Sequence, residues 1–111
     1  MIKNKKICFD LDGVICETSK SEYKKSKPKK KVIKIINKLY KDNTIIIFTA
    51  RYMGRNNDKV KIAKKQGYKH TLLQLKNWNV SFDKLIFGKP SYDLIVDDKA
   101  LGFKKDWYKN Y

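Results

Sequence analysis

Asp10 and Asp12 stand two residues apart in Asp10-Leu11-Asp12-Gly13-Val14, directly after the apolar run Ile7-Cys8-Phe9. If strand geometry carries through to Gly13, both carboxylates point to the same side. Two further apolar runs end in polar residues: Ile45-Ile46-Ile47-Phe48 on Thr49, and Leu94-Ile95-Val96 on Asp97-Asp98. In an open parallel sheet, the carboxyl ends of strands border the crevice where ligands bind. Three or four carboxylates gathered there repel one another unless a cation sits among them, and an all-oxygen ligand set with open positions favours Mg²⁺. Each fragment also has a plainer use. Asp12-Gly13 is an ordinary turn signal, Asp97-Asp98 could cap a helix before Lys99, and Thr49 could simply end a strand. Only their coincidence at strand ends points to chemistry.

The elements that must position these residues follow from periodicity. Residues 6–10 read as a buried strand, and Asp12-Gly13 breaks it. From Glu17 to Lys31 the chain is polar and reads as a loop or flap, with a solvated run of lysines from Lys24 to Lys31 and Pro28 suited to a helix start. Val32, Ile35, Ile36 and Leu39 recur at helical spacing between Lys29 and Asp42. Residues 44–48 form a second strand, followed by a glycine-bearing loop at 52–57. A helix then runs from Asn57 or Asp58 to about Gln66, where Gly67 is placed to end it. Thr71 can cap a second short helix carrying Leu72, Leu73, Leu75 and Trp78. Residues 84–87 and 92–96 are the third and fourth expected strands, separated by Gly88-Lys89-Pro90, and the basic, aromatic tail is a helix or ordered extension. Strands alternating with helices imply an α/β domain over residues 1–111, its parallel sheet covered on both faces.

At this point Asp10-Leu11-Asp12-Gly13-Val14, Thr49 after Ile-Ile-Phe, Lys89 within Gly-Lys-Pro, and Asp97-Asp98 after Leu-Ile-Val resemble the four motifs of the haloacid dehalogenase-like superfamily. They occur in the right order and span residues 7–99. The resemblance implies a three-layer α/β/α sandwich with a Rossmann-like parallel sheet and a Mg²⁺-dependent phosphate-monoester hydrolase. It implies that Asp10 attacks phosphorus to form an aspartyl-phosphate, while Asp12 protonates the leaving alcohol and then activates water. Thr49 and Lys89 would hold the phosphoryl oxygens. Asp10, the Asp12 carbonyl and Asp97 would hold Mg²⁺, with Asp98 as an additional ligand or a partner orienting Lys89. Arg51, two residues beyond Thr49, joins the substrate side by reaching an anionic group, with salt bridging as its other use. Arg55 with Asn56 and Asn57 is a further candidate for substrate contact. His70 lies apart from every motif and reads as a surface or helix-start residue.

The short intervals between motifs leave no room for an inserted cap domain, so the resemblance is to a capless member. Such a site is open: a macromolecule or an oligomeric neighbour covers it, or the substrate stays partly exposed, with residues 16–27 as a partial lid. Capless relatives act on polynucleotide ends, phosphoproteins and phosphosugars. The stretches Phe-Thr-Ala-Arg-Tyr-Met-Gly-Arg-Asn and Phe-Gly-Lys-Pro-Ser-Tyr-Asp more loosely resemble bacterial proteins of capsule or lipooligosaccharide synthesis.

Composition bounds the partners. The net charge is +16, yet of 27 basic residues only Arg51 and Arg55 are arginine. Such a surface draws in anions generally, and dedicated nucleic-acid readers lean on arginine for bidentate contacts. A small phosphorylated substrate is therefore favoured over nucleic acid, with a polynucleotide end or a non-catalytic nucleic-acid scaffold as the alternatives. No apolar run is long enough to span a bilayer, and the strand begins too soon for a signal peptide, so a cytoplasmic location is expected. Cys8, among apolar neighbours, reads as a core residue, and Cys16 as a bystander near the site.

Overall fold

The computed structural model describes residues 2–111. Three strands, β1 (Lys6–Asp10), β4 (Thr44–Thr49) and β5 (Lys84–Phe87), form a parallel sheet in the order β1-β4-β5. Asp10 stands opposite Phe48, and Thr49 opposite Phe87. Between β1 and helix α1 (Lys30–Tyr40), the two-residue strands β2 (Cys16–Glu17) and β3 (Lys27–Pro28) pair antiparallel and tie the base of a loop. The second helix, α2, spans Val60–Asn77.

α1 forms because Val32, Ile33, Ile36 and Leu39 make one buried stripe while lysines take the other side. Its end is fastened by Asn43, whose Nδ2 donates to the Leu39 carbonyl at 2.9 Å. The apolar stripe meets Phe9, Ile45, Ile47, Leu85 and Phe87, the alternate residues of the sheet that share one face, in a single core with Ala63 and Leu75 of α2. Both helices lie on that face because the strand order advances in one direction and the crossovers share one hand.

The opposite face is only partly covered: Cys8 and Ile86 are exposed and Ile46 and Phe48 half-buried. The core position expected for Cys8 is thus corrected. Its neighbours Ile7 and Phe9 face the core, so Cys8 must face away.

Two other expectations change. The fourth strand at residues 92–96 is not formed, and Leu94 and Val96 are 81% and 91% exposed. An apolar run becomes a strand only where a neighbour accepts its backbone ladder, and among the described residues this one pairs with no strand. Among the described residues the chain therefore has α/β architecture with a three-stranded parallel sheet and two helices. Finally, the two short helices expected on either side of Gly67 are one continuous helix.

Gly67 serves close packing instead of helix termination. A Cβ there would stand 2.5 Å from Tyr52 Cδ2 and 2.9 Å from Phe87 Cε2. In a helix interior, Gly→Ala alone gains about 1 kcal/mol, whereas overpacking a close contact loses about 1–3 kcal/mol. The contact outweighs the propensity gain, so Gly67→Ala is expected to lower stability by up to about 2 kcal/mol in urea unfolding. The tail ends in a 3-10 turn, Trp107–Asn110, whose buried Trp107 packs against Phe9 at 5.8 Å between ring centroids. No helix among the described residues is long and apolar enough to cross a membrane.

Candidate active site

β1 delivers Asp10 at its carboxyl end, and the chain then turns through Gly13, whose φ of +89° suits glycine. The turn is closed by the Gly13 N–H donating to the Cys16 carbonyl at 2.7 Å. Lys89 arrives from the loop after β5, where Gly88 adopts φ +106° and the Lys89 N–H donates to the Thr49 carbonyl at 3.1 Å. Its Nζ then lies 3.4 Å from Asp10 Oδ1. Burial pushes the Asp10 carboxyl above its ordinary range, and the Lys89 charge offsets only part of that. For Lys89, burial pulls the ammonium down, but the Tyr92 hydroxyl and Asp10 outweigh it and hold it above its usual value.

Asp12 is held by Arg51. The guanidinium donates from Nε to Asp12 Oδ2 at 3.0 Å and from Nη2 to Oδ1 at 2.9 Å, a bidentate pair. Nη1 donates to Gln74 Oε1 at 2.7 Å and Thr71 Oγ1 at 3.2 Å, and Nη2 also reaches Ser26 Oγ at 3.3 Å. The Thr18 hydroxyl adds a further hydrogen bond to Asp12 Oδ1. Arg51 is fully enclosed, with its donors committed to the protein. Arg51 lines the cavity, but its donors are taken by Asp12, Thr71, Gln74 and Ser26, so in this arrangement it orients Asp12. Thr71 and Gln74, both from α2, are site residues that sequence reasoning missed. Their i, i+3 spacing on one helix face was the available signal, obscured by dividing the helix at Gly67.

Thr49 also departs from expectation. It stands at the end of β4 but is completely buried, and its Oγ1 accepts the Arg51 N–H at 3.1 Å. It braces the turn that launches Arg51 and does not border the cavity. Asp97 and Asp98 are both exposed, with Asp97 Oδ1 accepting the Lys99 N–H at 2.9 Å in a local turn. They do not join Asp10 and Asp12, because the strand that would have carried them there is not formed. No group of three His, Cys, Asp or Glu side chains able to hold a metal ion occurs among the described residues.

Asp10, Asp12 and Lys89 open into a cavity of about 470 Å³, whose walls include Thr18, Ser21 and Tyr23 of the loop 11–29. Arg55 borders it as well, its guanidinium 4.7 Å from the ring centre of Tyr52 and 5.3 Å from that of Tyr23. Tyr52 is held in turn by its hydroxyl, 2.8 Å from His70 Nε2. Burial lowers the His70 pKa, with the Arg51 and Lys24 charges adding to the effect. His70 is therefore a mid-helix brace for Tyr52 and stands outside the cavity lining.

Cys16 lies beside this network, with its thiol donating to Asp12 Oδ1 at 3.5 Å. Burial first, and then the Asp12 charge, pushes the thiol up to about 11. Since the thiolate is the nucleophile, native protein treated with iodoacetamide at pH 8 should be alkylated at exposed Cys8 and spared at Cys16. Raising the pH should increase Cys16 labelling only as it approaches that value. Peptide mapping by mass spectrometry reads both sites.

The chain matches no family model, and comparison with curated proteins gives no match. Its fold is similar to the crystal structure of a structural-genomics target from Vibrio cholerae, with a TM-score of 0.74 and 24% identity. The match covers 96% of this chain and 94% of the other. At that identity the likeness speaks for the fold alone.

Proposed function

We propose that this chain is a phosphate-monoester phosphatase with Asp10 as nucleophile and Asp12 as general acid and base. The observation that carries the reading is the contact of Lys89 with Asp10 at 3.4 Å, beside a second carboxylate locked in place by Arg51, in one open cavity. A free Asp10 oxygen attacks phosphorus, the bond from phosphorus to the leaving oxygen breaks, and that oxygen takes a proton from Asp12. Asp12 then removes a proton from water, which attacks the aspartyl-phosphate and frees Asp10 and inorganic phosphate. Lys89 neutralises the phosphoryl oxygens throughout.

The cavity volume lies within the usual range for small-molecule sites. This favours a sugar phosphate or related metabolite, in keeping with the looser resemblance to surface-polysaccharide proteins, over a polynucleotide end. Membership of the haloacid dehalogenase-like superfamily, with a three-layer capless domain in the cytoplasm, belongs to the same reading. So does Mg²⁺, with Asp97 as the donor beyond Asp10 and the Asp12 carbonyl. The residues as arranged do not fit that ion, since Asp97 and Asp98 stand away from the other two. The steps above therefore rest on the chain's own groups.

Hydrolysis of p-nitrophenyl phosphate, with and without added Mg²⁺, tests the proposal. Turnover is expected, and comparison of the two conditions decides whether Mg²⁺ belongs to the site. Absence of turnover across a broad panel of phosphate esters, with circular dichroism showing an intact fold, would refute it.

A further inference from the structure

The cations of the cavity are not equally occupied. Two carboxylates, Asp10 and Asp12, face three cations, Arg51, Arg55 and Lys89. Lys89 is paired with Asp10, and Arg51 with Asp12. Arg55 has no carboxylate partner among the described residues, and its single hydrogen bond there runs from Nη2 to the Ser21 carbonyl at 3.1 Å. A guanidinium has five N–H donors, so most of this one's capacity is uncommitted.

Arg55 is also held in place. Tyr23 and Tyr52 both lie within cation–π distance of it. Tyr52 is fixed by His70 and keeps a backbone φ of +65°, a strained value for a bulky residue. Nearby, Gly54 approaches Ser91 so closely that a Cβ would stand 3.3 Å from Ser91 Oγ. The Ser91 N–H is pinned to Asp58 Oδ1 at 3.1 Å. The wall bearing Arg55 is thus built from braced groups, and the guanidinium lies over two aromatic rings with most of its N–H donors uncommitted.

We propose that Arg55, with Ser21 and Ser91 beside it, forms a second anion site in the same cavity, so that the substrate is a phosphate monoester bearing another acidic group. This rests on the phosphatase reading for the first phosphate at Lys89. The second group is a carboxylate or phosphate of a small molecule, or the neighbouring phosphodiester of a phosphorylated nucleotide chain.

Calorimetric titration of the whole chain with propylphosphonate and with 3-phosphonopropionate isolates the effect of the second anion without any turnover. The carboxylated ligand is expected to bind wild type about tenfold more tightly, as a charge-assisted hydrogen bond warrants. Arg55→Gln should bring the two affinities together, and Arg55→Lys should restore only part of the difference. Equal affinities in wild type, or a preference that survives in Arg55→Gln, would overturn the site. Phenyl phosphate and 4-carboxyphenyl phosphate repeat the comparison in kcat/KM. If neither ester turns over while the phosphonate preference persists, the hydrolytic reading falls and the anion site stands. A phosphorylated dinucleotide favoured over the small diacid, with the same dependence on Arg55, supports the site and assigns its anion to a phosphodiester.

Discussion

Asp10→Asn is expected to reduce turnover of p-nitrophenyl phosphate by about a thousandfold or more, because an amide oxygen cannot form the acyl-phosphate that divides the reaction into two displacements. The accompanying change in stability separates this loss from misfolding. Burial raises the Asp10 pKa in the folded protein. The fold therefore binds the Asp10 proton more tightly than the unfolded chain does. Above both values the charged carboxylate weighs against folding, and that penalty disappears as the pH falls through the raised pKa. Asn carries no such penalty, so the inactive variant should unfold at an equal or higher urea concentration at neutral pH. The stability difference between the two proteins should shrink on acidification. Brief incubation of wild type with substrate, acid quenching and peptide mapping should find one phosphoryl group on the peptide containing Asp10. An active Asp10→Asn protein, or a phosphoryl group found elsewhere, would refute the assignment.

The second large effect is one of architecture. Arg51→Met is expected to destabilise the protein by about 3 kcal/mol, the lower part of the range for breaking a buried ion pair. The guanidinium is fully enclosed whereas the Asp12 side chain retains 25% exposure, so water relieves part of the abandoned charge. Thr71 and Gln74 lose their shared donor in the same substitution. Arg51→Lys should recover little, since an ammonium cannot bridge both Asp12 oxygens while reaching α2. Pairing Arg51→Met with Asp12→Asn removes the orphaned carboxylate, and the double variant should be more stable than Arg51→Met alone. Urea unfolding of the four proteins supplies the cycle, and strictly additive effects would show that the pair is not coupled.

That coupling also shows where sequence reading stopped. Arg51 follows the strand-end Thr49 by two residues, and nothing in that spacing tells whether its charge meets a ligand or a carboxylate of the same chain. The distinction depends on Asp12, 39 positions earlier, and on Gln74, 23 positions later. Gly67 was open to misreading for the same reason. Locally it resembles a helix stop, and only the approach of Tyr52 and Phe87 shows why the backbone must be bare there.

Asp10 and its turn were legible from the start because local rules suffice for them. An apolar run bounded by Asp-Gly makes a strand that ends in a turn; period-two alternation points Phe9 inward, and the carboxyl end of the strand sets Asp10 at the sheet edge. The helix over residues 30–40 and the strands over 44–49 and 84–87 follow from the same short-range patterns. Tertiary structure alone decided the rest: that Lys89 reaches Asp10, that Arg51 claims Asp12, that Arg55 is left without an acid among the described residues, and that Asp97 and Asp98 stand apart. The physical reason is that backbone conformation is set largely by near neighbours. The pairing of charges and of strands is set by which distant segments come within a few ångströms, and periodicity carries no record of that.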